Sequence, residues 1–479
     1  MNVIFENLYK DYKGKIVFSG INGRINRNDR IGLIGINGVG KTTLAKILAG
    51  IEEYEDGTIK YSPSNLKIVY MGETFYEEAY SSLSGGEKTK QLLQETLSKE
   101  FDLLILDEPT NHLDMDSVNW LEDTINRIDK TVLIISHDRY FLDKTASKIW
   151  EMSSKELKEY EGNYTSYKYQ KEIENRNQLR EYDKQQREIR HLNEVINDRK
   201  EWFDKAHKAA RQNDFLRSKS KKHVSVMRAK EKQLERLEEN RVERPNEEVA
   251  ACFEILNKKI SNAKLPQYLV QGSDLRKSYR NRQILKYASF NIMREDKIAL
   301  VGQNGTGKST LIKMLIGADT DFNGTIRINP SVKIGYFAQE LETLNYDESI
   351  LNNVLIEGVI QNEARLLLAC LLFKGNDVFK EVGNLSMGEK CRVAFAKLIL
   401  SGANLLVLDE PTNYMDIVSK EKIEEILSEY QGSMLFVSHD RYFVKRLANR
   451  VLEINDYKLD AYSGSYEEYI SKKEENKKA

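Results

Sequence analysis

The sequence predicts an α/β architecture in which two copies of one phosphate-loop head are joined by a long antiparallel α-helical hairpin. Three observations predict it. A set of motifs occurs twice in the same order. Short apolar runs of strand length alternate with helical patterns in each copy. Between the copies lies a charged stretch nearly free of Gly and Pro. A chain of 479 residues, at roughly 100–200 residues per domain, has room for about three domains.

The repeat comes first, because it fixes the domain count. Gly-Ile-Asn-Gly-Val-Gly-Lys-Thr-Thr at Gly35–Thr43 recurs as Gly-Gln-Asn-Gly-Thr-Gly-Lys-Ser-Thr at Gly302–Thr310. Leu83–Lys88 (Leu-Ser-Gly-Gly-Glu-Lys) recurs at Leu385–Lys390, Leu103–Asp114 at Leu405–Asp416, and Ser136–Phe141 at Ser438–Phe443. The offset is 267 residues at the glycine loop and 302 from Leu83 onward, so the second copy carries 35 additional residues between those points. The helical part of the first copy is therefore expected to be cut short. The expected division is 1–167 for head 1, 168–245 for a helical linker, 246–268 for a connector and 269–479 for head 2.

Each glycine loop follows an apolar strand (Ile31–Ile34, Ile298–Val301) and opens a helical pattern (Thr42–Leu48, Ser309–Leu315). That is the context in which the motif binds phosphate. The runs Leu103–Leu106, Val132–Ile135, Leu405–Leu408 and Met434–Val437 read as buried parallel strands. In the linker, Tyr182, Ile189, Ile196 and Phe203 are spaced by seven, and Val224, Met227, Leu234 and Leu237 recur at helical spacing. The linker holds 22 basic and 15 acidic residues, and Arg199–Lys232 alone holds 12 and 4. A basic turn interspersed with Trp202, Phe203 and Phe215 points to nucleic acid. The candidate contacts are Lys205, Lys208, Arg211, Phe215, Arg217, Lys219, Lys221 and Lys222. A solvated spacer is the plainer reading, but a spacer needs no cationic tip.

The loop glycines and asparagines (Gly35, Asn37, Gly38, Gly40; Gly302, Asn304, Gly305, Gly307) wrap phosphate oxygens with backbone N–H groups at a helix N-terminus. Lys41 and Lys308 reach the β- and γ-phosphates, with Thr43 and Thr310 beside them. Thr42 and Ser309 offer a hydroxyl to Mg²⁺. Asp107 and Asp409 end apolar strands and are the candidate metal carboxylates. Glu108 and Glu410 come next and are placed to polarise an attacking water, a contribution of roughly 10²–10⁴-fold. His137 and His439 follow a later strand and are read as contacts to the γ-phosphate. Tyr12 and Tyr279, equally far upstream of their loops, are candidates to stack on adenine. The cofactors expected are ATP and Mg²⁺.

The duplicated Leu-Asp-Glu-Pro-Thr-Asn and Ser-His-Asp-Arg-Tyr-Phe motifs, with a charged helical linker between them, resemble the ABC-F family of ATP-binding-cassette proteins along essentially the whole chain. The resemblance implies two tandem cassettes that hydrolyse ATP at two composite sites. Ser84, Gly85 and Gly86 of one head, and Ser386 and Gly388 of the other, would cap the nucleotide held by the opposite head. It also implies a metal-facing residue at Glu73 and at Gln339. The expected partner is the 70S ribosome, with rRNA and the P-site tRNA, reached through the tRNA exit site. The protein would act as a cytoplasmic monomer without a membrane partner. An armless head 1 and a basic linker tip are similar to the antibiotic-resistance branch, which protects ribosomes from lincosamides, pleuromutilins and streptogramin A. The alternative is a housekeeping translation or ribosome-assembly factor.

The chain departs from the family pattern in three places. Glu73 stands where the family usually has Gln, Met387 where head 1 has Gly85, and Tyr414-Met415 where His-Leu is expected. Glu73 and Met387 would line the same nucleotide, the one on Lys41, so the two sites are expected to turn over unequally. Other classes fit poorly. No apolar run reaches the ~20 residues of a membrane helix, and the first residues do not read as a signal peptide. Three scattered cysteines (Cys252, Cys370, Cys391) argue against a disulfide framework or a Cys-based zinc site and fit a reducing compartment. A transporter subunit would lack the basic hairpin, and a chromosome-maintenance ATPase would place its coiled coil inside one split head.

Overall fold

The computed structural model describes residues 1–72, 85–111, 113, 115–209, 214–242, 265–280, 282–338 and 343–478, without the side chains of 85–87, 115, 203, 206–209, 214–225, 474 and 476–478. It divides into two compact units, residues 166–247 and the remainder.

In head 1 the order is β1 (Asn2–Tyr12), β2 (Lys15–Asn26), β3 (Arg30–Ile34), α1 (Lys41–Leu48), β4 (Asp56–Ser62), β5 (Ile68–Met71), α2 (Gly85–Leu97), β6 (Leu103–Asp107), α3 (Met115–Arg127), β7 (Thr131–Ile135), α4 (Arg139–Thr145), β8 (Lys148–Met152) and β9 (Leu157–Glu161). Strands β2-β1-β4 make an antiparallel sheet, and β5-β6-β7-β3-β8-β9 make a second. The second is parallel except for β9 at its edge. Every residue of β6 and β7 is buried, as expected of parallel strands covered on both faces. The antiparallel sheet packs on one of those faces, where Phe5 meets Trp150 edge-on at 5.8 Å.

Head 2 repeats this plan with β10 (Tyr268–Tyr279), β11 (Arg282–Met293), β12 (Lys297–Val301), α7 (Lys308–Leu315), β13 (Asn323–Ile328), β14 (Ile334–Phe337), β15 (Leu405–Asp409), α11 (Ile417–Ser428), β16 (Ser433–Val437), α12 (Arg441–Leu447), β17 (Arg450–Asn455), β18 (Lys458–Ser463) and α13 (Tyr466–Lys478). Its sheet orders, β11-β10-β13 and β14-β15-β16-β12-β17-β18, are those of head 1. Strand alternation splits the core in two. Leu405, Val407 and Leu435 join α7 on one face, while Leu406, Leu408 and Phe436 join the helices on the other. The additional residues of this head supply α8 (Ile350–Val354) and α9 (Gln361–Cys370) ahead of α10 (Met387–Leu400). In head 1 only 13 residues separate β5 from α2, so the shortened helical part read from the offsets is real.

The linker unit is built on α5 (Tyr164–Ala209) and α6 (Asp214–Glu239). At ~1.5 Å per residue, α5 is about 69 Å long, longer than the spacing of its apolar residues implied. Its pairing is antiparallel: Gln185 donates to the carbonyls of Leu237 and Asn240, while Gln233 donates to Glu188. Leu192 is buried on the seam. Among the described residues, no helix is long and apolar enough to cross a membrane. Cys391 is a buried free thiol, and Cys252 lies outside the described residues.

Candidate nucleotide sites between the two heads

Each glycine loop leaves the end of a central strand and turns into a helix through two left-handed glycines, Gly38 and Gly40 in head 1 and Gly305 and Gly307 in head 2. The last of each pair also sits where a side chain has no room. A Cβ on Gly40 would lie 2.6 Å from Val17, and one on Gly307 would lie 2.3 Å from Ile284. Gly35 and Gly302 start the loops. Lys41 and Lys308 begin α1 and α7, and each ammonium donates to two carbonyls of its own loop, Gly35 and Ile36 at 2.8 and 3.2 Å and Gly302 and Gln303 at 2.8 and 2.9 Å. These curled lysines mark a ring of polar backbone suited to a phosphate chain. Burial lowers the affinity of Lys41 for its proton, and Glu108, Asp416 and Asp107 oppose that shift.

Asp107 and Asp409 end β6 and β15, and Glu108 and Glu410 follow in left-handed backbone, each at φ 50. A left-handed Glu costs on the order of 1–3 kcal/mol, and the same strain at both positions marks them as held in place by their surroundings. The turn aims each carboxylate at the histidine loop. His137 N–H donates to Glu108 Oε2 and His439 N–H to Glu410 Oε2, both at 3.2 Å. The second oxygens, Glu108 Oε1 and Glu410 Oε1, are buried without a hydrogen-bond partner. They face His137 Nε2 at 3.6 Å and His439 Nε2 at 3.4 Å. Burial, reinforced by Asp107, pushes the Glu108 carboxyl up to about 8. Burial, with Lys41 and Lys420, holds the His137 imidazole well below its ordinary range.

Magnesium fits these residues. Ser309 hydrogen-bonds the buried Asp409 carboxylate, whose proton affinity is raised by burial and lowered by that bond. Asp107 accepts from Tyr70 at 3.1 Å, a partner that sequence patterning did not single out, and Thr42 follows Lys41 in α1. Among the described residues no cluster of three or more His, Cys, Asp or Glu could hold a metal. A carboxylate and a hydroxyl completed by phosphate oxygens and water is the arrangement Mg²⁺ favours. Glu73, Gln339 and Ser84 lie outside the described residues, as does Arg211. Gly85 and Gly86 open α2. Lys208, Phe215, Arg217, Lys219, Lys221 and Lys222 lie on α5 and α6 with side chains outside the description. Lys205 is exposed and pairs with Glu201 at 3.5 Å.

Tyr12 and Tyr279 are about half exposed at the mouths of the two loops. Tyr12 donates to Glu52 and Tyr279 to Asp319, and their hydroxyls also meet Thr43 and Thr310. Both tyrosines stand beside the first turn of the loop helix, against Thr43 and Thr310.

The heads contact each other at these sites. Asn37 N–H donates to Asp416 at 3.1 Å, and its side-chain amide donates to the Tyr414 carbonyl at 3.2 Å. That bond fixes which way the amide points. Its oxygen then faces His137 Nε2 at 3.0 Å. A Cβ on Gly388 would come within 3.4 Å of the Asn37 amide, so helix α10 of head 2 starts beside the glycine loop of head 1. Ser386 caps that helix in a reciprocal box with Glu389. A cavity of about 540 Å³ between the heads is lined by Asn304, Thr310, Glu410 and His439 from head 2 and by Glu108, Val118 and His137 from head 1.

A second set of contacts joins the histidine loops. The buried Arg139 forms a bidentate pair with Glu424 and reaches Asp440 at 3.2 Å. Burial opposes its charge, and Asp440 and Glu424 more than offset that, holding the guanidinium protonated. Its counterpart Arg441 pairs with Glu122 at 3.3 Å and Asn119 at 2.7 Å. Each arginine stacks on the tyrosine of the other head, Arg139 on Tyr442 and Arg441 on Tyr140. Sequence reading passed over this set. Overlaying the two copies at the offset of 302 pairs Arg139 with Arg441 and Glu122 with Glu424, which was the available signal.

A family model described as ABC transporter matches residues 18–69 and 285–413, and a second of the same description matches 150–254. The putative ATP-binding protein YdiF of Bacillus subtilis is 35% identical over 98% of this chain and 82% of its own. ABC transporter F family member 5 of Arabidopsis thaliana is 30% identical over 98% of this chain and 77% of its own. The chain belongs to the ABC-F family of ATP-binding-cassette proteins. It is an ATP hydrolase built of two tandem cassettes. The ribosome protection protein VmlR of Bacillus subtilis is 33% identical over 95% of this chain and 87% of its own. In fold, the chain is similar to the solved RNase-L inhibitor, with a TM-score of 0.66 at 18% identity, covering 98% of this chain and 92% of that one.

Proposed function

We propose that this ABC-F ATPase binds the ribosome and protects it from antibiotics that act at the peptidyl-transferase centre. The observation that carries the reading is a pair of composite ATP sites joined to a helical hairpin about 69 Å long whose turn is basic. The 33% identity to a ribosome protection protein supports it. The domain limits of the proposal are those read from the repeat, with the hairpin at about 168–245.

ATP occupies each glycine loop with Lys41 or Lys308 on its phosphates and Tyr12 or Tyr279 against its base. Mg²⁺, held by Thr42 and Asp107 or by Ser309 and Asp409, neutralises phosphate charge when bound. Glu108 and Glu410 polarise the attacking water, and His137 and His439 orient it from the facing loop. Two ATPs close the heads, and the closed form presents the hairpin to the 70S ribosome. There Lys205, Lys208, Arg211, Arg217, Lys219, Lys221 and Lys222 meet rRNA or tRNA phosphates, with Phe215 among them. Hydrolysis reopens the heads and releases the protein.

The test is a panel of ribosome-targeting antibiotics on a sensitive host with and without the gene. Protection from drugs that act at the peptidyl-transferase centre, such as lincosamides, pleuromutilins and streptogramin A, is expected. The 35% identity to YdiF, whose name carries no drug, favours a second reading, a housekeeping translation or assembly factor. No change in susceptibility, with ribosome binding intact, would select that reading. Replacing Lys219, Lys221 and Lys222 by Gln together should weaken ribosome binding and flatten its salt dependence, since each phosphate contact adds about one unit to that slope.

A further inference from the structure

The first turn of α11 in head 2 lies across the nucleotide site of head 1. Asp416 caps that helix through Ser419 N–H and accepts from Asn37 in the glycine loop. One turn on, Lys420 donates its ammonium to the backbone carbonyl of His137 at 3.1 Å. The same ammonium faces Asp440 at 3.6 Å, and its side chain is only 12% exposed. Lys420 therefore grips the histidine loop of the opposite head at the residue whose ring meets Asn37 and Glu108.

The repeat breaks at this point. At the offset of 302, Lys420 corresponds to Val118, and both residues line the cavity between the heads. Valine can neither donate a hydrogen bond nor carry a charge. Among the described residues, no cross-head ammonium bonds the peptide of His439 as Lys420 bonds that of His137. A charge-assisted bond to a carbonyl in a partly buried site is among the stronger hydrogen bonds.

We propose that Lys420 is a positioning residue supplied by head 2 to the Lys41 site, where it holds His137 against Asn37 and Glu108, and that the Lys308 site works without an equivalent. The inference rests on the assignment of two ATP sites above. It makes the two sites differ by a route separate from Glu73 and Met387, and in the opposite direction, since Lys420 favours turnover at the Lys41 site.

The experiment measures steady-state ATP turnover of the full chain in two backgrounds. Glu410→Gln leaves the Lys41 site reporting, and Glu108→Gln leaves the Lys308 site reporting. Lys420→Met and Lys420→Arg are placed in each, with melting curves to confirm folding. Lys420→Met is expected to lower kcat at the Lys41 site about tenfold, the size of one lost charge-assisted hydrogen bond. KM for ATP should stay within about twofold, because nothing that binds the nucleotide is removed. Lys420→Arg, which keeps the donor and the charge, should restore most of kcat, and the Lys308 site should change less than about twofold. Equal losses in both backgrounds, a loss confined to KM, or no rescue by arginine would overturn the proposal. If Glu108→Gln plus Glu410→Gln leaves parental turnover intact, the assignment of the ATP sites fails instead.

Discussion

The two glycine loops are near copies in sequence, yet at one position the opposite heads present unlike residues, Lys420 from head 2 and Val118 from head 1. At Lys41 the opposite head reaches in through Asp416, Tyr414 and Lys420, and Asn37 is bonded to three partners. At Lys308 a cross-head bond runs from Gln303 to Asp116 at 3.3 Å and the loop borders the cavity, while Asp114 and His112, the counterparts of Asp416 and Tyr414, lie outside the described residues. The histidine loops repeat the contrast: the side chain of His137 is 17% exposed and that of His439 is 34%. A duplicated fold therefore guarantees two sites of one chemistry but not of one environment. The environment comes from residues that each head presents to the other.

The largest expected effect tests that contrast at the glutamates. Glu108→Gln and Glu410→Gln should each lower turnover at their own site by roughly 10²–10⁴-fold. Total ATP turnover should fall further with Glu410→Gln, because the Lys308 site is expected to carry more of the flux. Equal falls would break the comparison. Next in size is the pair of cross-head arginines. Arg139→Ala leaves Glu424 with only Arg446 at 3.6 Å and Asp440 with Lys420 at 3.6 Å, and should destabilise the chain by about 3–5 kcal/mol. Arg441→Ala, with an exposed Asn119 among its partners, should cost less than half of that. Urea midpoints of the two variants measure the difference.

The smallest effect is a pH dependence. Burial raises the Glu122 carboxyl to about 7 even though Arg441 opposes the shift. The folded state thus keeps a proton that the unfolded state has lost between about pH 4.5 and 7. This residue's contribution to stability must therefore fall as pH rises through that window. Glu122→Gln should flatten the pH dependence of the melting temperature there, and an unchanged slope would place Glu122 in a wetter setting.

The fold was legible because its signals are local and repeated. A glycine loop between an apolar strand and a helix, and an aspartate ending an all-apolar run, each carry their structural context within a dozen residues. The heptad of Tyr182, Ile189, Ile196 and Phe203 did the same for the hairpin, although α5 continues past the end of that pattern to Ala209. Lys420, Arg139 and Glu424 were not legible in this way. On their own helices they look like ordinary surface charges, and they acquire meaning only when the other head is brought against them. Tyr70 was hidden for a similar reason, since its partner Asp107 lies on the neighbouring strand, 37 residues away. Only the superposition of one copy on the other, with valine facing lysine at a single position of α3 and α11, could have exposed the cross-head asymmetry.

If ATP closes the heads and so sends the hairpin into the ribosome, a hydrolysis-deficient protein should stay there. Sedimentation of the Glu108→Gln plus Glu410→Gln protein with 70S ribosomes in ATP and Mg²⁺ measures this, and near-stoichiometric co-sedimentation that falls away when ADP replaces ATP is expected. A hydrolysis-deficient protein that stays in the supernatant with ATP, or that sediments equally well with ADP, would contradict it.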